Sequence, residues 1–431
     1  MSQLTLATLA ALLGWIALIA YAVLGGADFG GGIWDLFARG RTAARERSAI
    51  AGAMGPVWES NNIWLIFVLV ITWTAFPIVY ASVSTALFIP ITFALIGIVL
   101  RGASFSFRSH YGMRVGAGVA WGHVFSTASI ITPFLLGTVA GALAGGMIHV
   151  SGSPAQVQAN LWTTWTTPFA LACGAFAVAL CAVLAATYLT VDSHNNGDLL
   201  LAERFRQRAI IAGAVTAAVG VLAAVLSSFQ APVLWHGLIG KALPFSLGAI
   251  LLGLATAVAL LRNAYAAARI LVAAGTVFIF AAWGVAQWPY FIVPDVTVDN
   301  AASPSSVLGP LLIVALLGLI LVLPVLWYLF SIFKGPGTRT GPATGPHATT
   351  ASFVASLQPA STSDQPSTSA MSAAPVQPSS VSGGAVRQQV IPVLAFSLAV
   401  AAATFITALY DAVRNRAGSR SRHSRTEAPS P

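Results

Sequence analysis

Long uninterrupted runs of apolar residues alternate with short polar stretches over residues 4–330. A membrane helix needs about 20 such residues to cross roughly 30 Å of hydrocarbon, and only a helix satisfies its own backbone there. We count nine runs, at about 4–27, 50–76, 77–100, 115–145, 165–190, 209–229, 245–262, 268–288 and 307–330. The pattern predicts an all-α polytopic membrane protein, a nine-helix transmembrane bundle.

The basic residues between these runs predict the orientation of the bundle. Odd-numbered connections and the stretch after run nine hold fourteen Lys and Arg residues, whereas even-numbered connections hold only Lys241. Because cytoplasmic loops are enriched in Lys and Arg, we expect the N-terminus outside. The first run lacks a basic start and a cleavage site, so we expect a retained helix rather than a signal peptide.

The composition supports a membrane protein and excludes several other classes. Apolar residues make up 57% of the 431 residues and charged residues 8%, far below a soluble domain. The net charge of +9 is scattered rather than gathered into a stripe, which argues against nucleic acid as a partner. Cys173 and Cys181 are too few for a metal site, so we expect packing roles.

The chain divides into three regions, of which residues 1–334 form the nine-span membrane domain. Residues 335–388 are rich in Pro, Ser, Thr, Ala and Gly, which predicts a disordered cytoplasmic linker. Residues 389–431 hold an apolar segment, Val390–Tyr410, before a basic tail. An interfacial helix and an inserted single-helix accessory both remain open for this segment.

Ionisable residues inside a span are the candidates for function, because burying each in lipid costs at least about 2.5–3.5 kcal/mol. Most of the twelve acids fall in predicted loops; the exceptions are Asp28, at the end of run one, and Glu59, about nine residues into run two. Glu59 lies in Pro56–Trp64, a polar stretch that includes Asn61 and is walled by Trp58 and Trp64. We expect a proton-carrying carboxyl at Glu59; a polar clamp between helices is the alternative.

Arg101, at the predicted end of run three, is placed either to pair with Asp28 or Glu59 or to anchor the helix at the membrane surface. Glycines flank Asp28, and the alternative for this stretch is a packing seam with the acid at the water interface. A membrane haem usually needs an axial His. Only His123 lies well inside a run, and a hydrogen-bonded core role suits a lone His better. We therefore expect no haem and no other cofactor on this chain alone.

Several stretches resemble subunit II of cytochrome bd-type quinol oxidases. The resemblance is carried by the Gly-Ala-Asp-Phe-Gly-Gly-Gly stretch around Asp28, the Trp58-Glu59 block of Gly55–Leu65, Phe76-Pro77 with Tyr80-Ala81, Arg101–Arg108, Ala186–Leu189 and the loop Pro289–Pro304. It covers about residues 5–330 in order, and the Trp58-Glu59 block is its most specific part.

The resemblance implies a subunit that works beside a haem-bearing subunit I, where haem b and haem d serve quinol oxidation and the reduction of oxygen to water. Family acids on a cytoplasmic proton path match Asp28 and Glu59. We expect Asn61 to order water on that path and Arg101 to hold a carboxylate. Some members have a further acid three residues before Asp28, where this chain has Gly25.

The resemblance also implies a bacterial plasma membrane, and it leaves open a structural quinone on this chain and a small single-helix accessory subunit. Two rival functions remain. One is a proton-coupled carrier using Asp28 and Glu59, which predicts inverted repeats with paired helix interruptions; the sequence shows no such pair. The other is an inert scaffold for a haem partner.

Overall fold

The computed structural model describes residues 2–111, 117–152 and 155–333, with all their side chains except those of 54–60, 108–111, 117, 327 and 329–333. The predicted linker and the Val390–Tyr410 segment lie outside the described residues. So do the side chains of Trp58 and Glu59, whose backbone is described.

The described chain consists of α-helices with two short antiparallel hairpins. The helices are α1 Gln3–Leu36, α2 Ala43–Ala75, α3 Pro77–Ala86, α4 Phe88–Tyr111, α5 Ala117–Ala144, α6 Pro168–Asn195, α7 Leu199–Gln230, α8 Pro232–Ile239, α9 Leu243–Leu261, α10 Tyr265–Gln287 and α11 Ser305–Phe333. The hairpins are β1 His149–Ser151 with β2 Gln156–Gln158, where Val150 pairs with Val157, and β3 Tyr290–Ile292 with β4 Val296–Thr297.

Within the described residues, eight helices are long and apolar enough to cross a membrane, or nine if one bent pair counts as a single span. The prediction of an all-α polytopic bundle is confirmed. The predicted bounds of run three, 77–100, are wrong, however. Residues 77–86 form the short helix α3, bent by 113° from Asn61–Ala75, and the next long helix is α4. A proline at the first position of α3 starts a new helix at the predicted boundary, but α3 ends at Ala86, where the apolar pattern continues unbroken.

The two halves of the bundle repeat the same order of elements. Helices α1 to α5 are a long helix, a second long helix, a short helix begun by proline and two further long helices, and α6 to α10 follow the same order. Phe76 and Ala231, which precede the two prolines, have nearly equal backbone angles (φ −137°, ψ 63° and φ −140°, ψ 61°). The halves therefore do have paired interruptions, contrary to the sequence reading.

Contacts between helix ends and loops group the two ends of the bundle in the way that the basic residues predicted. At one end, Arg45 pairs with Asp198 at 2.6 Å and Arg269 with Asp192 at 3.0 Å. At the other end, which holds the two hairpins and which we call the hairpin end, Ser303 N–H donates to the Ala75 carbonyl, and His149 contacts Asp295 at 3.1 Å. The arginine-rich end corresponds to the predicted cytoplasmic side.

Glycines on α1 let this helix pack against its neighbours at very short range. A Cβ at Gly30 would lie 1.9 Å from the carbonyl oxygen of Cys181 on α6, and one at Gly32 would lie 2.0 Å from Ser129 Oγ on α5. The prediction that the glycines of this stretch let neighbouring helices pack closely is therefore correct. This packing leaves Asp28 buried between the helices rather than at the water interface.

Candidate functional site

Asp28 and Arg101 form a buried ion pair in the first half of the bundle. Arg101 Nη1 donates to Asp28 Oδ2 at 2.6 Å, and Nη2 donates to Oδ1 at 2.7 Å and to the Asp28 carbonyl at 2.9 Å. The side chains are 0% and 3% exposed. Such a two-point pairing of guanidinium and carboxylate is the strongest form of charge-assisted hydrogen bond, and it keeps both charges satisfied away from water.

Two further side chains complete what we call the Asp28 cluster: Asp28, Arg101, Asn61 and Ser129. Asn61 on α2 donates from Nδ2 to Asp28 Oδ2 at 2.8 Å. Ser129 on α5 accepts from Arg101 Nε at 3.0 Å and donates to the Phe125 carbonyl at 2.7 Å. Four helices, α1, α2, α4 and α5, thus meet at one set of charge-assisted hydrogen bonds.

Aromatic rings lie against the cluster. The Arg101 guanidinium lies 4.9 Å from the ring centres of both Phe29 and Phe125, within the range of cation–π attraction. Tyr21, seven residues before Asp28 on the same face of α1, is also buried. The guanidinium is thus held by the carboxylate through hydrogen bonds and by the two Phe rings through their faces.

The depth of the cluster corrects two sequence expectations. Asp28 does not close its helix, since α1 continues to Leu36, about 12 Å further along the axis. Arg101 does not end a span, because it lies inside α4, which runs to Tyr111. It is therefore not a surface anchor, and its pairing with Asp28 is the alternative that the structure shows. Sequence periodicity misplaced both residues because polar residues were read as helix ends.

The structure places the remaining candidate residues on α2. Asn61 joins the cluster, and Glu59 lies two residues before it in the same helix. Trp64 is 8% exposed and lies in the same buried apolar cluster as Ala17 and Leu184. Its indole N–H has no hydrogen-bond partner within the described structure. The positions of the Glu59 and Trp58 side chains are not among those described, so their roles remain predictions.

The surroundings of Gly25 show which atoms an acidic side chain at this position would contact. A Cβ at this position would lie 3.4 Å from the Tyr21 ring and 3.6 Å from Asn61 Nδ2, which are ordinary van der Waals contacts. A side chain at position 25 would therefore point toward the Asp28 cluster without displacing backbone.

Further acids were wrongly assigned to loops. Asp35 lies within α1, Glu46 within α2, Asp192 within α6 and Glu203 within α7. Asp35 is 4% exposed and accepts a hydrogen bond from Ser126 Oγ at 3.1 Å, with Arg47 Nε at 3.9 Å. Each of these four acids has an arginine partner, either nearby in the sequence or on another helix. Only the fold shows which arginine it pairs with.

Glu46 is fully buried at the arginine-rich end, between α2 and α7. Arg208 donates to its Oε2 at 2.8 Å and Arg204 to its Oε1 at 3.1 Å, while Thr42 donates to Oε1 at 2.8 Å. Burial alone would raise the pKa of Glu46. The hydrogen bonds from Thr42 and the two guanidiniums outweigh burial and hold the pKa below its ordinary value.

His123, Cys173 and Cys181 are not members of the Asp28 cluster. His123 is exposed on the surface of α5, so the core role expected for it is wrong. Both cysteines are free thiols on α6, where Cys181 is buried against α1. Among the described residues, no group of three or more His, Cys, Asp or Glu could hold a metal ion.

The fold and this cluster define a class of protein: a multi-pass membrane protein with a buried ion pair at the meeting point of four helices. The sequence model described as cytochrome bd terminal oxidase subunit II matches residues 6–333. The chain belongs to that family, whose complexes are oxidoreductases.

Individual relatives agree with this assignment. Cytochrome bd ubiquinol oxidase subunit 2 of Bacillus subtilis (strain 168) is 31% identical over 138 residues, 31% of this chain and 40% of that relative. A second protein of the same strain, named as a proposed cytochrome bd menaquinol oxidase subunit II, is 24% identical over 74% of this chain and 93% of its own length. Cytochrome bd-I ubiquinol oxidase subunit 2 of Escherichia coli (strain K12) is 28% identical over 49% of this chain and 54% of its own.

A solved structure shows the same fold. The bd oxidase from Geobacillus thermodenitrificans contains a chain that superposes with a TM-score of 0.60 at 19% identity, over 76% of this chain and 98% of that one. At this identity the likeness extends to the fold alone.

Proposed function

We propose that this chain is the haem-free subunit II of a bd-type quinol:oxygen oxidoreductase in a bacterial plasma membrane, with its N-terminus outside. Its partner would be a haem-bearing subunit I, which would hold haem b and haem d and carry out quinol oxidation and oxygen reduction. Family membership and the relatives' printed names support this proposal.

Within that complex, we propose that the Asp28 cluster belongs to the proton path toward the oxygen-reducing centre. The hydrogen bond from Asn61 to Asp28 carries the argument, because it ties the ion pair to the helix that bears Glu59. In this proposal Glu59 relays protons, Asn61 orders water, Arg101 orients the Asp28 carboxylate, and Trp58 and Trp64 wall the path.

The second half of the bundle supports a functional rather than a structural reading of the cluster. Counted from the two prolines, Asn61 corresponds to Thr216 and Arg101 to Thr256; counted from the helix ends, Asp28 corresponds to Thr187. All three threonines bond to a carbonyl of their own helix four residues earlier. Since one half forms the same helix order with neutral residues, the fold itself does not require a buried ion pair.

The repeat also bears on the carrier alternative. Each half begins with a helix that runs from the hairpin end to the arginine-rich end, so the halves have the same orientation rather than an inverted one. The paired interruptions lie beside the hairpin end and away from the Asp28 cluster. They therefore do not form the midplane substrate site that the carrier requires.

Glu59→Gln tests the proton-path role in the purified complex. We expect normal assembly and an unchanged visible spectrum, with quinol-driven oxygen uptake and proton uptake slowed at least threefold, because the amide cannot carry a proton. Glu203→Gln, at a half-exposed carboxylate that is bonded by its helical neighbours Arg206 and Gln207, is the matched control. Full turnover in an assembled Glu59→Gln complex would favour the scaffold instead.

Two regions outside the described residues complete the proposal. We propose that residues 335–388 are a cytoplasmic linker and that 389–431 form an extra apolar helix with a basic tail. Their composition alone supports this division.

A further inference from the structure

Asp35 is a buried carboxylate that the proposed proton path does not yet use. It lies seven residues after Asp28 on α1, so two helical turns place both side chains on one face, about 10 Å apart along the axis. Asp35 is one residue from the end of α1, at the arginine-rich end of the bundle. It is thus the carboxylate of α1 that lies nearer the cytoplasmic water.

Polar groups connect Asp35 to the Asp28 cluster along the contact between α1 and α5. Ser126 Oγ donates to Asp35 Oδ2 at 3.1 Å, and Ser129, one turn further along α5, accepts from Arg101 at 3.0 Å. Residues three apart on a helix have Cβ atoms about 5–6 Å apart, a gap that one water molecule can bridge. We call Asp35, Ser126, Ser129, Arg101 and Asp28 the polar row.

The packing of α1 leaves room for this row. A Cβ at Gly32 would lie 2.0 Å from Ser129 Oγ and 2.4 Å from Ser129 Cβ, so any larger residue there would displace the hydroxyl. The glycine stretch of α1 therefore serves two contacts: Gly30 admits α6, and Gly32 admits the Ser129 side chain.

We propose that Asp35 is the cytoplasmic-side proton acceptor of this subunit, and that it passes protons through the Ser126 and Ser129 hydroxyls and bridging water to the Asp28 cluster. Arg101 stays protonated and orients Ser129 and the Asp28 carboxylate without carrying a proton. This inference rests on the proposed function. The step is a proton transfer only: the Asp35 carboxylate binds a proton from water at the arginine-rich end and releases one to the hydroxyl and water chain. No electrons move, and Asp35 returns to its ionised form.

In this proposal, Asp35 takes the place of the acid that some family members have at the position of Gly25. A carboxylate at position 25 would approach the cluster from the Tyr21 side, at Asn61. Asp35 approaches it from the Ser129 side, nearer the arginine-rich end. Both positions lie on α1, on opposite sides of the Asp28 cluster along the helix axis.

Asp35→Asn in the complete complex tests the inference. We expect full assembly and an unchanged visible spectrum, with oxygen uptake and the rate of proton uptake in a single turnover lowered at least threefold. Asp35→Glu should restore at least half of the rate, which a packing defect would not predict. The matched control is Asp192→Asn, an acid at the same end of α6 that pairs with Arg269 at 3.0 Å outside the polar row and should leave the rate unchanged.

The outcomes separate this inference from the proposed function. A wild-type rate in Asp35→Asn, with Glu59→Gln slowed, overturns the role of Asp35 alone, whereas wild-type rates in both overturn the proton path itself. If Asp35→Asn fails to assemble, Ser126→Ala removes only the hydroxyl that bonds Asp35. Slowed proton uptake in that variant supports the row, and an unchanged rate overturns it.

Discussion

At the scale of single residues, the buried Asp28–Arg101 pair shows how a charge is kept inside an apolar bundle. Every donor of the guanidinium that faces the cluster has an oxygen to bond, on Asp28 or on Ser129. Removing one member of such a pair leaves the other uncompensated, which is far more costly than the pair itself is stabilising.

Arg101→Met should therefore destabilise the subunit by about 3–5 kcal/mol, the usual cost of breaking a buried pair. We expect a large fall in the yield of assembled complex and a lower Tm in detergent. Arg262→Met, at an exposed arginine of the same end of the bundle, should leave both near the wild-type values. An Arg101→Met complex as stable as the Arg262→Met complex would contradict this view of the pair.

At the scale of elements, the glycines of α1 decide how closely the first helix approaches its neighbours. A Cβ at Gly30 would lie against the backbone of α6, whereas the nearest atoms to a Cβ at Gly25 belong to the Tyr21 ring and the Asn61 side chain. Two glycines on one helix, five residues apart, therefore differ in what they tolerate.

Gly30→Ala should force α1 and α6 apart, because its Cβ would lie 1.9 Å from the Cys181 carbonyl oxygen. We expect a loss of assembled complex, since a rigid backbone atom cannot yield. Gly25→Ala is the control, with contacts of 3.4 Å and longer, and should assemble at wild-type yield. Size-exclusion profiles of the two variants, purified side by side, measure the difference; equal yields would contradict the contact at Gly30.

At the scale of the whole molecule, ion pairs at the arginine-rich end join helices that are far apart in the sequence. Glu46 holds α2 to α7 through Arg204 and Arg208, so this contact joins the two halves of the bundle. Its lowered pKa makes the link depend on pH with a defined sign. A depressed pKa contributes stability above the unfolded value of about 4.3, and that contribution is lost as the pH falls through the folded value.

Glu46→Gln should therefore lower Tm at pH 7, and the difference from wild type should shrink as the pH is lowered below about 4. Thermal unfolding in detergent at several pH values measures this. Asp198→Asn, at a surface pair with the largely exposed Arg45, is the control and should change Tm little. A difference in Tm that stays constant down to pH 3 would show that the ionised form of Glu46 is not what matters.

The orientation of the bundle is the other property of the whole molecule that can be tested. The hairpin end holds Asp299 and the arginine-rich end holds Arg262, both exposed. In a background with Cys173 and Cys181 replaced by alanine, an impermeant maleimide applied to intact cells should label Asp299→Cys and spare Arg262→Cys. Lysed cells should label both, and the reverse pattern in intact cells would place the N-terminus inside.

Much of this architecture was predictable from the sequence. The length of the apolar runs predicted the membrane helices, because lipid admits only segments that satisfy their own backbone. The uneven distribution of Lys and Arg predicted which connections lie together, and the structure joins Arg45 to Asp198 and Arg269 to Asp192 at one end. The polar residues within apolar runs singled out Asp28, Asn61 and Arg101 as candidates.

Other features required the tertiary structure. Apolar periodicity could not locate the break at Leu87 between α3 and α4 or the true end of α1, since lipid-facing and protein-facing residues are equally apolar. Nor could it distinguish Asp35 and Glu46 from loop acids, because their partners Ser126, Arg204 and Arg208 lie far away in sequence.

The sequence by itself thus determined that this chain crosses a membrane many times, and in which order, because transfer into lipid depends on local composition. Only the tertiary structure decided which charges meet. A buried carboxylate is stabilised by donors from other helices, and the approach of α4 and α5 to α1 places Arg101 and Ser129 beside Asp28.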